Sequence, residues 1–117
     1  MKETLKDKLI RLSEDLAVDV YKLVATYPKF ERYGLVSQLQ RGVVSVGANI
    51  VEGVARKSEK EMRRFLNIAY ASLSEVKFML RFSKRVNYCS EENFNSVYEK
   101  ADRISALLWS FMRNLDE

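Results

Sequence analysis

The stretch Arg41–Ser58, RGVVSVGANIVEGVARKS, holds three of the chain's four glycines: Gly42, Gly47 and Gly53. They sit among valines, alanines and an isoleucine. Two structures fit such a stretch: a glycine-rich loop that cradles phosphate, or a helix kept thin so that a neighbour can approach. A phosphate loop needs G-x-x-x-x-G-K-[ST] between a strand and a helix. Gly42 to Gly47 has the spacing, but Ala48 stands at the lysine position and Asn49 at the hydroxyl position. Val36, Leu39 and Val43 before it step by three and four, as a helix face does. The stretch therefore reads as the middle and end of a helix. An interior glycine costs about 1 kcal/mol relative to alanine, so three of them need a reason. Gly42 and Gly53 lie close to three turns apart and share a face, where small residues admit a second backbone. Gly47 points elsewhere and is a candidate kink. Gly53 can also be read as a simple weakening of the helix end.

Helical spacing continues on both sides of this stretch. Upstream, Leu5, Leu9, Leu12, Leu16, Val20 and Leu23 form a stripe that Ile10, Ala17 and Val24 widen, and Pro28 and Gly34 punctuate its end. The central helix runs on Val36, Leu39, Val43, Val46, Ile50 and Val54. Downstream, SEKE matches a capping box, with Ser58 as N-cap and Glu61 three residues on. After it come Met62, Phe65, Ala69, Leu73, Val76 and Leu80, with a flanking line of Ile68, Phe78, Phe82 and Val86. NYCSEEN breaks that helix. Ser90 caps the next, with Glu91 and Glu92 suited to its dipole. Phe94, Val97, Ala101, Ile104, Leu108, Phe111 and Leu115 then carry it to the end. The expectation is an all-α domain spanning residues 1–117. Its short connections favour an antiparallel up-down-up-down four-helix bundle.

Composition narrows the chemistry. Among 117 residues there is no histidine, one cysteine, Cys89, and one proline. That excludes an internal disulfide, a Cys/His zinc site and histidine-assisted serine or cysteine hydrolysis. No cofactor or metal is expected. The lone thiol suits a reducing compartment. The N-terminal MKETLKDKLIRL is too charged for a signal peptide, and no window approaches the roughly 20 apolar residues of a membrane span. A cytoplasmic protein without a membrane partner is the expectation. The formal net charge of +4 permits a nucleic-acid partner without requiring one.

Two polar patterns are candidate sites. On the glycine-bearing helix, Gln38, Arg41, Ser45, Asn49, Glu52 and Arg56 recur by three or four. Glu52 and Arg56 form a favourable i,i+4 pair. A solvated face is the plainer reading, but its short amides and hydroxyl are unusual there. On the next helix Lys60, Arg63, Asn67, Tyr70, Ser74, Lys77, Arg81 and Lys84 make a second stripe, flanked by Arg64 and Arg85. It could track phosphates, with Tyr70 stacking a base, or be an ordinary solvated face. Acidic residues gather elsewhere, at Glu91, Glu92, Asp116 and Glu117.

The strings YPKFERYGLVSQLQRGVVSVGANIVEGVARKSEKE and FLNIAYASLSE make the chain resemble the four-helix-bundle proteins encoded in 23S ribosomal RNA intervening sequences, the S23 ribosomal protein family. The resemblance runs from about Leu16 to the end. The family often carries proline where Gly47 stands and tryptophan where Ile10 stands. Gly42 and Ala71 replace residues that are commonly alanine and glycine. The resemblance implies a ring-like homo-oligomer, a pentamer. It also implies a relation to retroelement accessory variability proteins, which bind nucleic acid and a reverse transcriptase. On it, the polar signature falls on Glu31, Gln38, Arg41, Ser45, Asn49, Glu52, Arg56, Glu61 and Glu75, expected as a hydrogen-bond network between helices or subunits. The leading expectation is a non-enzymatic homo-oligomeric scaffold binding RNA or DNA through Lys60, Arg63, Arg64, Tyr70, Lys77, Arg81 and Lys84. A protein–protein adaptor without nucleic-acid binding is the alternative. An enzyme built on Glu31, Glu52 and Glu75 is a third reading, without the Glu-x-x-His repeats of di-iron bundles.

Overall fold

The structure, a computed structural model, describes residues 2–115. Asp116 and Glu117 of the expected acidic group lie outside the described residues. Helices α1 (Leu5–Val24), α2 (Leu35–Val54), α3 (Glu59–Arg85) and α4 (Glu91–Arg113) follow in order, with a 3-10 turn at Lys29–Glu31 between the first two. No strand occurs among the described residues. At 1.5 Å per residue α3 is about 40 Å long, so it sets the 44 Å length of the molecule.

Each helix starts where a side chain can take an orphan N–H. Thr4 and Asp7 form a full reciprocal capping box on α1. Ser58 takes the Glu61 N–H at 3.3 Å, as SEKE led us to expect. The reciprocal half of that box is missing, because Arg64 holds the Glu61 carboxylate at 3.1 Å. Ser90 accepts from Asn93 N–H on α4. The residue before α2 is Gly34, which has no side chain to offer. Glu31 reaches forward instead, and its Oε1 accepts the Leu35 N–H at 3.1 Å.

The apolar stripes meet in one core. Leu9, Leu16 and Val20 of α1 are fully buried with Leu39, Val43, Val46 and Ile50 of α2. Leu66, Leu73, Val76 and Leu80 of α3 and Ile104 and Leu108 of α4 complete it. Each such side chain contributes about 1.5–3 kcal/mol by leaving water. The α3 stripe is buried as expected at Met62, Ala69, Leu73, Val76 and Leu80, and differs at Phe65. Leu66 is the core residue, and Phe65 stays half-buried beneath the guanidinium groups of Arg56 and Arg64. The flanking line of Ile68, Phe78, Phe82 and Val86 remains outside the core.

α2 packs on both α1 and α3, and α4 packs on α3 and α1. Pairings along α2 and α3 run in reverse order: Gly42 against Val76, Ser45 against Ser72, Gly53 against Leu66. The three glycines of the opening stretch are explained by this packing. A Cβ on Gly42 would stand 2.9 Å from Val76 Cγ2, and one on Gly53 3.1 Å from Leu66 Cδ2. Gly47 faces α1, 3.3 Å from Ser13 Oγ by the same measure. α2 is helical from end to end through Gly47, so close approach rather than a helix break accounts for all three.

Candidate assembly and nucleic-acid surfaces

The basic stripe of α3 turns toward α4. Arg63 points its guanidinium fork at the C-terminal end of α4, donating to the carbonyls of Met112 and Leu115 at 2.9 Å each. Met112 also accepts the Leu115 N–H at 3.2 Å, and both carbonyls lie at the negative end of the α4 dipole. Tyr70 lies half-buried with its ring 6.2 Å from that of Trp109. Lys77 pairs with Asp102 at 2.6 Å and sits over the Tyr98 ring. Arg81 donates to the Tyr98 hydroxyl. Lys84 pairs with Glu91 at 3.4 Å and covers the Phe94 ring. Five of the seven expected nucleic-acid contacts are therefore brought together as the α3–α4 seam. Arg64 is exposed and paired with Glu61, and Lys60 is exposed without an ion pair among the described residues. A stripe at helical spacing defines one face. It does not say that another helix lies on that face.

The polar line of α2 lies along the seam with α3. At its centre Ser45 Oγ is 3.1 Å from Ser72 Oγ, and the Asn49 amide donates to the Ser45 carbonyl at 2.8 Å and to its hydroxyl. This small network is half-buried: the Ser45–Ser72 bond joins two helices, and the Asn49 bonds stay within α2. Ser72 is the partner the sequence reading missed, and the α2–α3 register is what identifies it. Toward one end Glu52 pairs with Arg56, whose guanidinium lies 4.8 Å from the Phe65 ring centre, and that of Arg64 lies 4.4 Å from it. The Arg64 hydrogen bond holds the Glu61 carboxyl below its ordinary range. Toward the other end Gln38 and Glu75 share a shallow groove with Ser74, Phe78 and Met79. Arg41 is exposed and unpaired among the described residues. Glu31 sits apart, joining two connections: besides capping α2 it accepts the Tyr88 hydroxyl at 2.8 Å. That bond raises the Tyr88 pKa. The nine residues of the polar signature thus form separate small groups, not one continuous network.

Near Tyr88 lies a less satisfied group. The Tyr27 ring is 5.4 Å from the Tyr88 ring and buried, and its hydroxyl has no hydrogen-bond partner among the described residues. Burial raises the Tyr27 pKa, against a smaller opposing influence of Ser83. Burial likewise raises that of Cys89, so its thiol stays protonated at neutral pH. Among the described residues no three His, Cys, Asp or Glu side chains gather as a metal site. No helix among them is long and apolar enough to cross a membrane.

Among the described residues, apolar side chains are left uncovered between α1 and α2 and along α3, besides those of the connections and α4. Between α1 and α2 runs a groove of about 310 Å³ lined by Ile10, Ala17, Val44, Gly47 and Val51. Val44 and Val51 are half-exposed there, and Val18 and Tyr21 extend the surface along α1. The second surface is the outer side of α3, where Phe78 is 61% exposed and Ile68 and Phe82 are also uncovered. The polar line of the α2–α3 seam lies between the two.

Comparison with known proteins bears on this architecture. The chain superposes on the crystal structure of a protein of unknown function of the S23 ribosomal protein family from Bacteroides thetaiotaomicron VPI-5482, with a TM-score of 0.85 and 24% identity. The match covers 95% of this chain and 100% of that one, and at this identity it shows a shared fold. No curated protein matches the chain by sequence. The family model for the 23S rRNA-intervening sequence protein matches residues 6–110, nearly the whole described bundle, and the chain belongs to that family.

Proposed function

We propose that the helices run up-down-up-down and that the chain is a non-enzymatic subunit of a ring-like homo-oligomer, a scaffold rather than a catalyst. The observation that carries this reading is the pair of uncovered apolar surfaces on either side of the α2–α3 seam. Contiguous exposed apolar surface marks an interaction site more often than chance exposure does. A two-fold dimer places the same patch on both sides of its interface, so it covers one surface and leaves the other wet. A head-to-tail contact sets the α1–α2 groove of one copy against the α3 surface of the next, and a ring closes the series. The reversed pairings along α2 and α3 support the antiparallel topology. The number five rests on the family resemblance. Sedimentation velocity of the purified chain tests the proposal: a single species several protomers in mass supports it, and a stable monomer contradicts it.

Nucleic-acid binding is the second part of the reading, supported by the net charge of +4. The α3 cations would serve it only by giving up their α4 partners. A phosphate track on this chain is better sought among cations that no neighbour holds. A protein partner, such as a reverse transcriptase, would compete with a second copy for the exposed Phe78 and Phe82.

A further inference from the structure

The α1–α2 connection, ATYPKFERYG at residues 25–34, was read from the sequence as punctuation. In the structure it carries the two most exposed large apolar side chains among the described residues, Tyr33 at 87% and Phe30 at 79%. Neither is on a loose segment. Glu31, Arg32 and Gly34 each donate a backbone N–H three residues back, at 3.0–3.1 Å. Phe30 meets Tyr88 of the α3–α4 connection edge to face, with ring centres 6.3 Å apart.

The segment that carries these rings also carries two exposed cations. Lys29 and Arg32 alternate with them in sequence and are exposed, and the Arg32 guanidinium lies 5.6 Å above the Tyr33 ring. Arg85, at the end of α3 where the Tyr88 connection begins, is also exposed and makes no ion pair among the described residues. The one carboxylate of the segment, Glu31, is turned inward and occupied by Leu35 N–H and the Tyr88 hydroxyl. Two exposed aromatic rings on a segment whose cations make no ion pair among the described residues suit a ligand that carries flat rings and negative charge in alternation. Unpaired bases and their phosphates have that composition. Protein interfaces also favour aromatics and arginine but are depleted in lysine, so Lys29 weighs toward nucleic acid.

We propose that this end of the bundle is a single-stranded nucleic-acid site. Phe30 and Tyr33 stack bases, and Lys29, Arg32 and Arg85 hold the backbone phosphates. The proposal rests on the nucleic-acid part of the function proposed above and moves it from α3 to the α1–α2 connection.

The test is a fluorescence-anisotropy titration of a fluorescein-labelled oligouridylate at two salt concentrations. The proteins are the full chain and its variants Tyr33→Ala, Tyr33→Phe, Lys29→Ala with Arg32→Ala, and Lys60→Ala with Arg64→Ala. Tyr33 is so exposed that its loss leaves the melting curve unchanged, which is checked by circular dichroism. We expect Tyr33→Ala to weaken binding about ten-fold and Tyr33→Phe to retain it, as stacking requires. The Lys29/Arg32 pair lowers the salt slope by about two, and the α3 pair leaves the slope unchanged. Binding that survives Tyr33→Ala undiminished overturns this site and leaves nucleic-acid binding standing. Absence of binding by the parent chain at low salt overturns both. RNA binding unchanged in the Tyr33 and Lys29/Arg32 variants, with self-association lost, assigns the rings to contact between subunits instead.

Discussion

Gly42 and Val76 set the distance between α2 and α3: a Cβ at position 42 would stand 2.9 Å from Val76 Cγ2. Val76 is fully buried and β-branched, so its methyl cannot rotate aside cheaply. Gly42→Ala gains about 1 kcal/mol of helix propensity but forces this clash, and overpacking of a tight core costs about 1–3 kcal/mol. We expect a net loss of stability on urea denaturation, recovered in part when Val76→Ala is added. Gly47→Ala meets only Ser13 Oγ at 3.3 Å and should change stability by less than about 1 kcal/mol. Equal effects at the two positions would show that packing does not decide them.

Arg63 is assigned to holding the end of α4. Arg63→Ala leaves the Met112 and Leu115 carbonyls without their charged donor and should cost about 1–3 kcal/mol. Hydrogen exchange should quicken first in the last turn of α4. Arg63→Lys should recover little, because an ammonium cannot reproduce the two-pronged geometry. Unchanged stability in Arg63→Ala would return this residue to the exposed surface.

That assignment marks the limit of what sequence could tell. The four helices were legible because their apolar residues keep one period, and Ser58 and Ser90 were legible as caps because the hydroxyl bonds within its own turn. The roles of Arg63, Lys77, Arg81 and Lys84 were not, since spacing gives a residue's face but not the neighbour on it. The same limit hid Ser72, whose partner Ser45 lies on another helix. Leu66 displaced Phe65 from the core because a stripe two residues wide allows either, and two arginines were available to cover the aromatic ring. The site at Phe30 and Tyr33 was passed over because a break between helices carries no periodicity.

Tyr27 makes the fold sensitive to alkali. Its pKa is raised in the folded chain above the ordinary 10, by burial first. The folded state therefore keeps a proton that the unfolded state releases, so the stabilising contribution is complete below pH 10 and is lost as pH rises beyond it. We expect stability to fall above pH 10, and less steeply in Tyr27→Phe. That variant should match or exceed the parent at neutral pH, because the buried hydroxyl has no partner to lose among the described residues. Superimposable alkaline melting curves for the two proteins would remove Tyr27 as the cause.

Glu31 ties the α1–α2 connection to both the start of α2 and the α3–α4 connection. Glu31→Ala removes the acceptor for Leu35 N–H and for Tyr88, and should cost about 1–3 kcal/mol in thermal or urea unfolding. Tyr88→Phe removes one of the two bonds and should cost less. A larger loss in Tyr88→Phe than in Glu31→Ala would contradict the arrangement.

Assembly is proposed to run through the surface between α1 and α2. Val44 and Val51 are about half-exposed, so Val44→Asp with Val51→Asp leaves the core intact while placing charge in the groove. Sedimentation velocity on the parent chain and this double variant is the most direct test. We expect a multi-protomer species for the parent and a folded monomer for the variant. A monomeric parent, or a variant that sediments like the parent, would contradict it.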